Sequence, residues 1–392
     1  MLEKVLKETI RSGQLRLVMP DGNEHHFGKA HPDIGEVVWR INNPKVTSRL
    51  LHNGEFELAQ TYMEKGWDLL KGNLADLINL LYINFGEEPP SAAKKVLGRT
   101  LKQWNNLAKS LRNVATHYDL DEALFRSFLD EDMHYSCAYF KSTEDDLETA
   151  QQNKCQHIMH KLCLKPGHKM LDIGSGWGSL SLYMARNGGV STQGVTLSKE
   201  QLRVAKARAE EQGLADRVKF DLQDYRNHTG KYDRIVSVGM FEHVGRPYFE
   251  AYFRKLDSLL NDDGVVLLHT IGRSGQPGVT NPWIQKYIFP GGYIPALSEM
   301  TAAIEKAGLL INDVEILRFH YADTLAAWSE RFSKHREQFV VSKGEAFCRM
   351  WEIYLAMCEA AFRSSDLVVY QVQLTKSKHV LPDTRDYLYQ NA

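Results

Sequence analysis

A short stretch near the middle of the chain constrains the fold more than any other part of the sequence. Residues 169–173 form an apolar run suited to a buried strand, and residues 179–185 have the pattern of a helix. Between them, Gly174, Gly176 and Gly178 occupy alternate positions. Because glycine accepts positive φ and lets a ligand approach the backbone closely, such a turn can hold a ligand at the N-terminus of the next helix. The stretch therefore predicts a strand–loop–helix nucleotide site.

Strand and helix patterns alternate from this point onward. Apolar runs predict strands at 169–173, 189–197, 218–222, 232–238 and 264–269, with two further strands at 313–319 and 368–374. Strands that are apolar on both faces and alternate with helices are typical of a parallel sheet covered on both sides. We therefore expect an α/β fold, with a doubly wound, mostly parallel seven-stranded sheet.

The N-terminal part of the chain has a different character. Residues 1–90 predict a small α+β domain, with a hairpin turn at Asp21-Gly22, a strand at 37–41, and helices at 47–53, 55–67 and 68–83. The segment 91–112 carries six positive charges and no acid, and its apolar residues have roughly helical spacing. It predicts a basic linker helix that either packs on the protein or lies on a membrane surface. The remaining residues, 113–392, are expected to form the catalytic domain.

Composition limits the functions that this chain can have. The formal net charge of −1 gives no general attraction to nucleic acid, so no nucleic-acid partner is expected. Five cysteines without a Cys-x-x-Cys pair predict neither a disulfide framework nor a metal site, which favours the reducing cytoplasm. No apolar run approaches the ~18 residues that would span a bilayer, and the N-terminus lacks the apolar core of a signal peptide.

Polar residues follow the predicted strands at the edge where an open α/β sheet binds its ligands. Asp172 ends the first strand, Glu242 follows the fourth, and His269 ends the fifth. A carboxylate and an imidazole at the same edge can orient an acid, a base or a small ion. Residues 193–196 offer no acid for the ribose of a dinucleotide, which disfavours a nicotinamide oxidoreductase.

Several motifs together resemble the cyclopropane-fatty-acyl-phospholipid synthases, a family of S-adenosylmethionine-dependent lipid methyltransferases. The matching segments are Tyr135-Ser136-Cys137-Ala138-Tyr139-Phe140, residues 171–178, Gln223-Asp224-Tyr225-Arg226, residues 238–245, residues 268–272 and residues 286–292. The resemblance covers nearly the whole chain and includes the small N-terminal domain. It implies the Rossmann-like fold of class I methyltransferases.

The resemblance also implies a reaction and a set of site residues. A methylene from S-adenosylmethionine is added to the cis double bond of an unsaturated acyl chain in membrane phospholipid, through a carbocation that a bound bicarbonate deprotonates. The positions expected around the bicarbonate are Cys137, Glu242, His269, the backbone of Ile271, and Tyr321. The positions expected to bind the cofactor are Tyr135, Ser136, Gly174, Gly176, Thr196, Leu197, Gln201 and Tyr225. Asp172, which ends the first strand, and Asp224, beside the aromatic Tyr225, complete the predicted cofactor set.

Two positions depart from the family pattern, and one charge needs an explanation. Ser175 stands where many relatives have cysteine, and Arg226 stands where some mycolic relatives have an acid, so Asp224 is predicted to take the adenine contact. Glu242 and bicarbonate are both anionic. Our hypothesis is that Glu242 accepts the bicarbonate hydroxyl hydrogen while His269 and Tyr321 donate to the ion.

The predicted partners follow from the same resemblance. We expect phospholipid with unsaturated acyl chains as substrate, peripheral association with the inner face of the membrane, and a homodimer formed through residues 1–90. Three alternatives remain: a methyltransferase that gives a methyl-branched lipid without ring closure, one that methylates the nitrogen of a small molecule, and a non-catalytic lipid-binding module.

Overall fold

The computed structural model describes residues 1–86 and 122–389. The predicted basic linker helix at 91–112, and the domain boundaries on either side of it, lie outside these residues. The strands are β1 (Leu15–Val18), β2 (Glu24–Phe27), β3 (Val37–Ile41), β4 (Trp67–Lys71), β5 (Lys169–Ile173), β6 (Ser191–Thr196), β7 (Val218–Leu222), β8 (Tyr232–Val238), β9 (Leu260–Arg273), β10 (Leu310–Leu317) and β11 (Leu367–Thr375).

The helices alternate with these strands over much of the chain. They are α1 (Leu2–Thr9), α2 (Lys45–Met63), α3 (Leu74–Phe85), α4 (Glu122–Phe128), α5 (Leu147–Lys161), α6 (Ser179–Gly188), α7 (Lys199–Glu211), α8 (Phe249–Leu259), α9 (Pro282–Tyr287), α10 (Leu297–Ala307), α11 (His320–Lys343) and α12 (Glu345–Ser364). In the described part of the chain, no helix combines the length and the apolar character needed to cross a membrane.

The described chain separates into two compact units. The first contains residues 1–86 together with Thr280–Ile288 and Ala322–Leu367. Its sheet has the order β2-β1-β3-β4, and helix α12 packs against α2 and α3. Arg349 of α12 anchors this packing, because its guanidinium donates to the carbonyl of Tyr62 at 2.6 Å and to the carboxylate of Asp68 at 2.9 Å.

Strand β4 corrects the prediction of a helix over residues 68–83. Residues 67–71 instead form an antiparallel pair with β3, in which Ile41 lies opposite Trp67. Gly72 then turns the chain with a φ of +84° before α3 begins after its N-cap, Asn73. The leucine spacing of this segment fits a helix, but β3 offers an unpaired edge, and pairing with that edge decides the local structure.

The second unit contains the seven-stranded sheet, in the order β10-β11-β9-β8-β5-β6-β7. Strands β5 to β9 pair in parallel, and β10 pairs with β11 in antiparallel fashion. The predicted doubly wound, mostly parallel α/β sheet is thus confirmed. The chain runs from β5 through β6 to β7 on one side and resumes with β8 on the other side of β5. This reversal of strand order opens a crevice at the carboxyl ends of β5 and β8, where such folds bind ligands.

Both faces of the sheet are buried, which explains the continuous apolar runs in the sequence. Alternate residues of the central strands enter two separate cores. One core contains Leu171, Ile235 and Val266 with residues of α8 and α10; the other contains Met170, Val236 and Leu267 with residues of α5 and α6. Since side chains alternate across a strand, only a strand that is apolar at successive positions can fill both cores.

Candidate active site

The glycine turn after β5 is shaped for a ligand. The N–H groups of Gly174 and Ser175 both donate to the carbonyl of Val195, at 2.9 and 3.1 Å, which fixes the turn against β6. Gly174 has a φ of +83°, and a Cβ atom there would lie 2.8 Å from Cβ of Met240. Gly176 has a φ of +53°, yet a Cβ atom there would meet no atom within 4 Å. The backbone at Gly176 therefore faces open space.

That space is a cleft of about 1240 Å³, including the part open to solvent, which we call the central cleft. It lies at the carboxyl ends of β5 to β8. All ten residues predicted to bind the cofactor line it: Tyr135, Ser136, Asp172, Gly174, Gly176, Thr196, Leu197, Gln201, Asp224 and Tyr225. The structure thus brings together residues that are spread over 91 positions of the chain, from 135 to 225.

Hydrogen bonds fix the part of the cleft that follows β6. The Thr196 hydroxyl donates to Oε1 of Gln201 at 3.0 Å, and the Gln201 N–H donates to the Ser198 hydroxyl at 3.2 Å. Ser198 is the N-cap of α7, a position that favours serine because its side-chain oxygen can accept a backbone N–H. These bonds hold Gln201, on the first turn of α7, beside the end of the strand.

The part of the cleft after β7 contains an ion pair. Arg226 donates from Nε to Oδ1 of Asp224 at 2.9 Å and from a terminal nitrogen to Oδ2 at 2.6 Å. Hydrogen bonding to this carboxylate raises the pKa of Arg226 above its usual range. Both oxygens of Asp224, the residue predicted to contact adenine, are therefore already bonded to a guanidinium that lines the cleft beside it.

Asp172 closes the bottom of the cleft. Its carboxylate is buried and accepts a hydrogen bond from the Ser181 hydroxyl at 2.8 Å. Burial raises the pKa of Asp172 to about 6, while the Ser181 hydrogen bond and the nearby charge of Lys154 act in the opposite direction. The carboxyl group of Asp172 and the amine of Lys154 thus both lie at the end of the cleft beside the glycine turn.

Other lining residues were not predicted from the sequence. They include Met133, His134, Lys154, Trp177, Gln223, Met240 and His243. His243 directly follows Glu242, so its position after a strand was a usable signal. Lys154 lies within a helical pattern, where a lysine ordinarily faces solvent, and nothing in the local sequence distinguishes it.

We give the name Glu242 cluster to three of the predicted ion-site residues: Glu242, Ile271, which is bonded to it, and His269, which lies two residues before Ile271 on β9. Oε1 of Glu242 accepts the backbone N–H of Ile271 at 2.7 Å. Oε2 is buried and has no hydrogen-bond partner among the described residues. Burial raises the pKa of Glu242 to about 7. A carboxyl group in this state can hold or release a proton near neutral pH.

Burial shifts the pKa of His269 in the opposite direction to that of Glu242. Its side chain is buried, and burial lowers its pKa to about 3, so the imidazole is neutral at physiological pH. The side-chain amide of Gln371 lies 3.1 Å from Nδ1. With the amide nitrogen donating to Nδ1, the ring proton is on Nε2, which is then a hydrogen-bond donor.

Cys137 and Tyr321, the other two predicted ion-site residues, lie on segments that are joined through His320. Nδ1 of His320 accepts the N–H of Phe140 at 3.1 Å, and its ring stacks on Tyr139 at 4.9 Å between centroids. Cys137 is buried and donates from its thiol to the carbonyl of Ala138 at 3.2 Å. None of the five ion-site residues lines the central cleft, but Glu242 adjoins His243, which does.

Comparison with known proteins assigns the family. A family model described as mycolic acid cyclopropane synthetase matches residues 105–372. The chain belongs to the mycolic acid cyclopropane synthetase family. This family member is 39% identical over 356 residues to the cyclopropane-fatty-acyl-phospholipid synthase of Escherichia coli strain K12, with 89% of each chain covered. It is 34% identical over 394 residues to a probable fatty acid methyltransferase of Pseudomonas putida, with 96% of each covered.

Solved structures agree with this assignment. The synthetase-family chain matches the mycolic acid cyclopropane synthase CmaA1, crystallised with S-adenosylhomocysteine and CTAB, at 32% identity and a TM-score of 0.64. The match covers 67% of this chain and 97% of that one. The family member is therefore an S-adenosylmethionine-dependent methyltransferase with S-adenosylmethionine as co-substrate. Within the described residues, no group of three or more His, Cys, Asp or Glu side chains could hold a metal ion.

Proposed function

We propose that this enzyme transfers a methylene from S-adenosylmethionine to the cis double bond of an unsaturated acyl chain in membrane phospholipid, forming a cyclopropane ring. The observation that carries the proposal is the Glu242 cluster. It combines a buried carboxyl oxygen without a partner, a pKa raised to about 7, and a neutral imidazole two residues before Ile271. Ring closure on an alkene needs a base for the proton that the transferred methyl group loses, and the Glu242 cluster places a buried carboxyl group with a pKa of about 7 one residue before His243, which lines the cleft.

The central cleft is proposed to hold S-adenosylmethionine. Gly176 leaves room for the cofactor to approach the backbone of the turn. Beside this turn the cleft ends in the buried side chains of Asp172 and Lys154, which suit the ammonium and the carboxylate at the amino-acid end of the cofactor. Tyr225 offers an aromatic face, and its own ring packs edge-on against Tyr252 at 5.4 Å. We assign the ten lining residues predicted from the sequence to this role.

The Glu242 cluster is proposed to bind bicarbonate, with Cys137 and Tyr321 completing the site. The free Oε2 of Glu242 requires a hydrogen-bond donor, and a bicarbonate hydroxyl is one. Nε2–H of His269 would donate to the ion, whereas the N–H of Ile271 already serves Oε1 of Glu242. When bound, bicarbonate supplies a base that can take the proton released as the ring closes. The residues of this chain orient that base through hydrogen bonds and exclude water from it.

The chemistry explains why positioning dominates this site. An alkene is a weak nucleophile, so the rate depends on holding the sulfonium methyl in line with the double bond. A carbocation that met water would be quenched, so the site must exclude water until the proton has left. A buried anionic group near the cation lowers the barrier further.

Phospholipid as substrate implies contact with a membrane surface. We propose a cytoplasmic location with peripheral association with the inner face of the membrane. We also propose a homodimer formed through the N-terminal domain, residues 1–90. The two active sites of such a dimer would bind the same membrane, which strengthens the attachment. The domain division at 1–90, 91–112 and 113–392 is part of this proposal.

A second candidate function has specific support. One extensive match is to a protein described as a probable fatty acid methyltransferase, and another, at 36% identity over 95% of this chain, is to the tuberculostearic acid methyltransferase UfaA1 of Mycobacterium tuberculosis. The alternative is methyl transfer to the same double bond without ring closure.

Mass spectrometry of phospholipids separates the two candidates. Vesicles of phospholipid with cis-unsaturated chains are incubated with the protein and S-adenosylmethionine, with bicarbonate either supplied or removed. We expect a gain of one CH₂ per chain, loss of the double bond, and dependence on bicarbonate. The same gain with a double bond retained would establish methyl transfer without ring closure. Absence of any gain in a protein that binds the cofactor would refute both lipid reactions.

A further inference from the structure

A buried lysine in the central cleft lacks a carboxylate partner. Lys154, on α5, is 1% exposed and lines the cleft. Its ammonium donates to the Ser136 hydroxyl at 3.1 Å and to Oε1 of Gln151 at 2.6 Å. Both partners are neutral, and in the described part of the chain no carboxylate forms an ion pair with it. Burying an ammonium in this way is costly unless an anion compensates it.

The acids around Lys154 are already engaged with other groups. Asp172 accepts a hydrogen bond from the Ser181 hydroxyl at 2.8 Å and forms no ion pair with the lysine. Asp130 is bonded to the His134 ring at 2.7 Å. Asp132 forms an ion pair with Arg208 at 2.8 Å. The charges of Asp130 and Asp132 favour the protonated form of Lys154, but burial outweighs them and lowers its pKa. The missing anion is therefore not supplied by these neighbours.

A second lysine on the same helix shows the contrast. Lys161 lies two turns further along α5 and is also fully buried. Its ammonium is paired with Glu315 at 2.5 Å and lies 3.9 Å from Asp313. The chain thus provides its own carboxylates for the buried lysine that is away from the cleft, and provides none for the one that lines it.

We propose that Lys154 is the charge partner of the α-carboxylate of S-adenosylmethionine and determines specificity for the amino-acid end of the cofactor. This rests on the proposed assignment of the central cleft to the cofactor. The carboxylate replaces the missing counter-ion, and the Ser136 hydroxyl, held by Lys154, provides a second donor. Gln151 supports the arrangement, because its amide donates to the carbonyl of Ser136 at 3.0 Å.

Titration calorimetry with two ligands tests this role. The ligands are S-adenosylhomocysteine and S-adenosyl-3-thiopropylamine, which differ only in the carboxylate. Lys154→Met should weaken binding of S-adenosylhomocysteine by about 10- to 100-fold, as expected for a hydrogen bond to a charged group. Binding of the decarboxylated ligand should change less than about twofold on this reasoning. Lys206→Met, an exposed lysine on α7, is the matched control and should change neither.

A second variant keeps the lysine and supplies a competing anion. Gln151→Glu places a carboxylate beside the Lys154 ammonium. Because this carboxylate competes with that of the ligand, the binding of S-adenosylhomocysteine should weaken more than the binding of the decarboxylated ligand. Equal weakening of both ligands in both variants would show a structural role and overturn the proposal, as would unchanged binding. If the wild-type protein bound neither ligand, the cofactor assignment would fall as well. If calorimetry gave the expected selective loss of S-adenosylhomocysteine binding but the lipid assay gave no product, only the proposed lipid reaction would be contradicted.

Discussion

Replacing Glu242 by glutamine should separate stability from catalysis. The amide keeps an oxygen that can accept the Ile271 N–H, which now lies 2.7 Å from Oε1, and it has nearly the same shape as the carboxyl group. It removes the charge and the ability to exchange a proton. The two consequences are an increase in stability above neutral pH and a loss of activity.

The size of the stability effect follows from the pKa. Burial raises the pKa of Glu242 from its ordinary value of 4.5 to about 7. Between these values the folded protein binds more protons at this group than the unfolded chain does, so stability falls as pH rises, and the loss is complete above about pH 7. At about 1.4 kcal/mol for each pKa unit, ionising Glu242 costs the folded state roughly 3 kcal/mol. Glu242→Gln avoids this cost.

Urea unfolding at pH 5 and pH 8 measures the difference. Because part of the loss has already occurred at pH 5, the unfolding free energy of the variant relative to wild type should rise by about 2.5 kcal/mol between the two pH values. Its ring-forming activity, measured as CH₂ gain in phospholipid, should fall at least about 100-fold, the usual contribution of a proton-transfer group. Glu211→Gln, an exposed carboxylate-to-amide change on α7, is the matched control. A difference in stability that did not vary with pH, or full activity in the variant, would refute the reasoning.

Three further predictions test other parts of the site. Gly176→Ala places a methyl group in the central cleft at a φ of +53°. It should lower the unfolding free energy by about 1 kcal/mol. It should also weaken the binding of S-adenosylhomocysteine, measured by calorimetry, at least about tenfold, and unchanged affinity would contradict the assignment of the cleft to the cofactor. His269→Gln removes an imidazole whose pKa is lowered to about 3. Below about pH 6.5 the unfolded wild type binds a proton at this group that the folded protein does not, so its unfolding free energy in urea should fall more steeply with decreasing pH than that of the variant. Parallel pH profiles of the two proteins would contradict this. Light scattering at micromolar concentration should give twice the mass of one chain, whereas a monomer would count against the dimer.

Much of the second unit could be predicted from the sequence, because local pattern and burial agree there. Strands β5, β7 and β8 have the predicted bounds, 169–173, 218–222 and 232–238. They are apolar at successive positions because they contribute to cores on both faces of the sheet. In the first unit the same reasoning was wrong at β4, where pairing with a neighbouring edge outweighed a helical leucine spacing.

The sequence by itself determined the sheet, the glycine turn and the identity of the residues at the strand ends. These depend on short-range features: apolar periodicity, positions that need glycine, and the rule that parallel strands present their carboxyl ends together. The order of the motifs was also sufficient to indicate the family.

Only the tertiary structure decided the electrostatics of the site. The raised pKa of Glu242, the neutral state of His269 and the missing counter-ion of Lys154 all arise from burial and from the distances between segments far apart in the chain. A lysine in a helix has the same local sequence pattern whether it faces water, a carboxylate or a ligand. Desolvation and pairing depend on what lies around the group in three dimensions, and no local pattern contains that information.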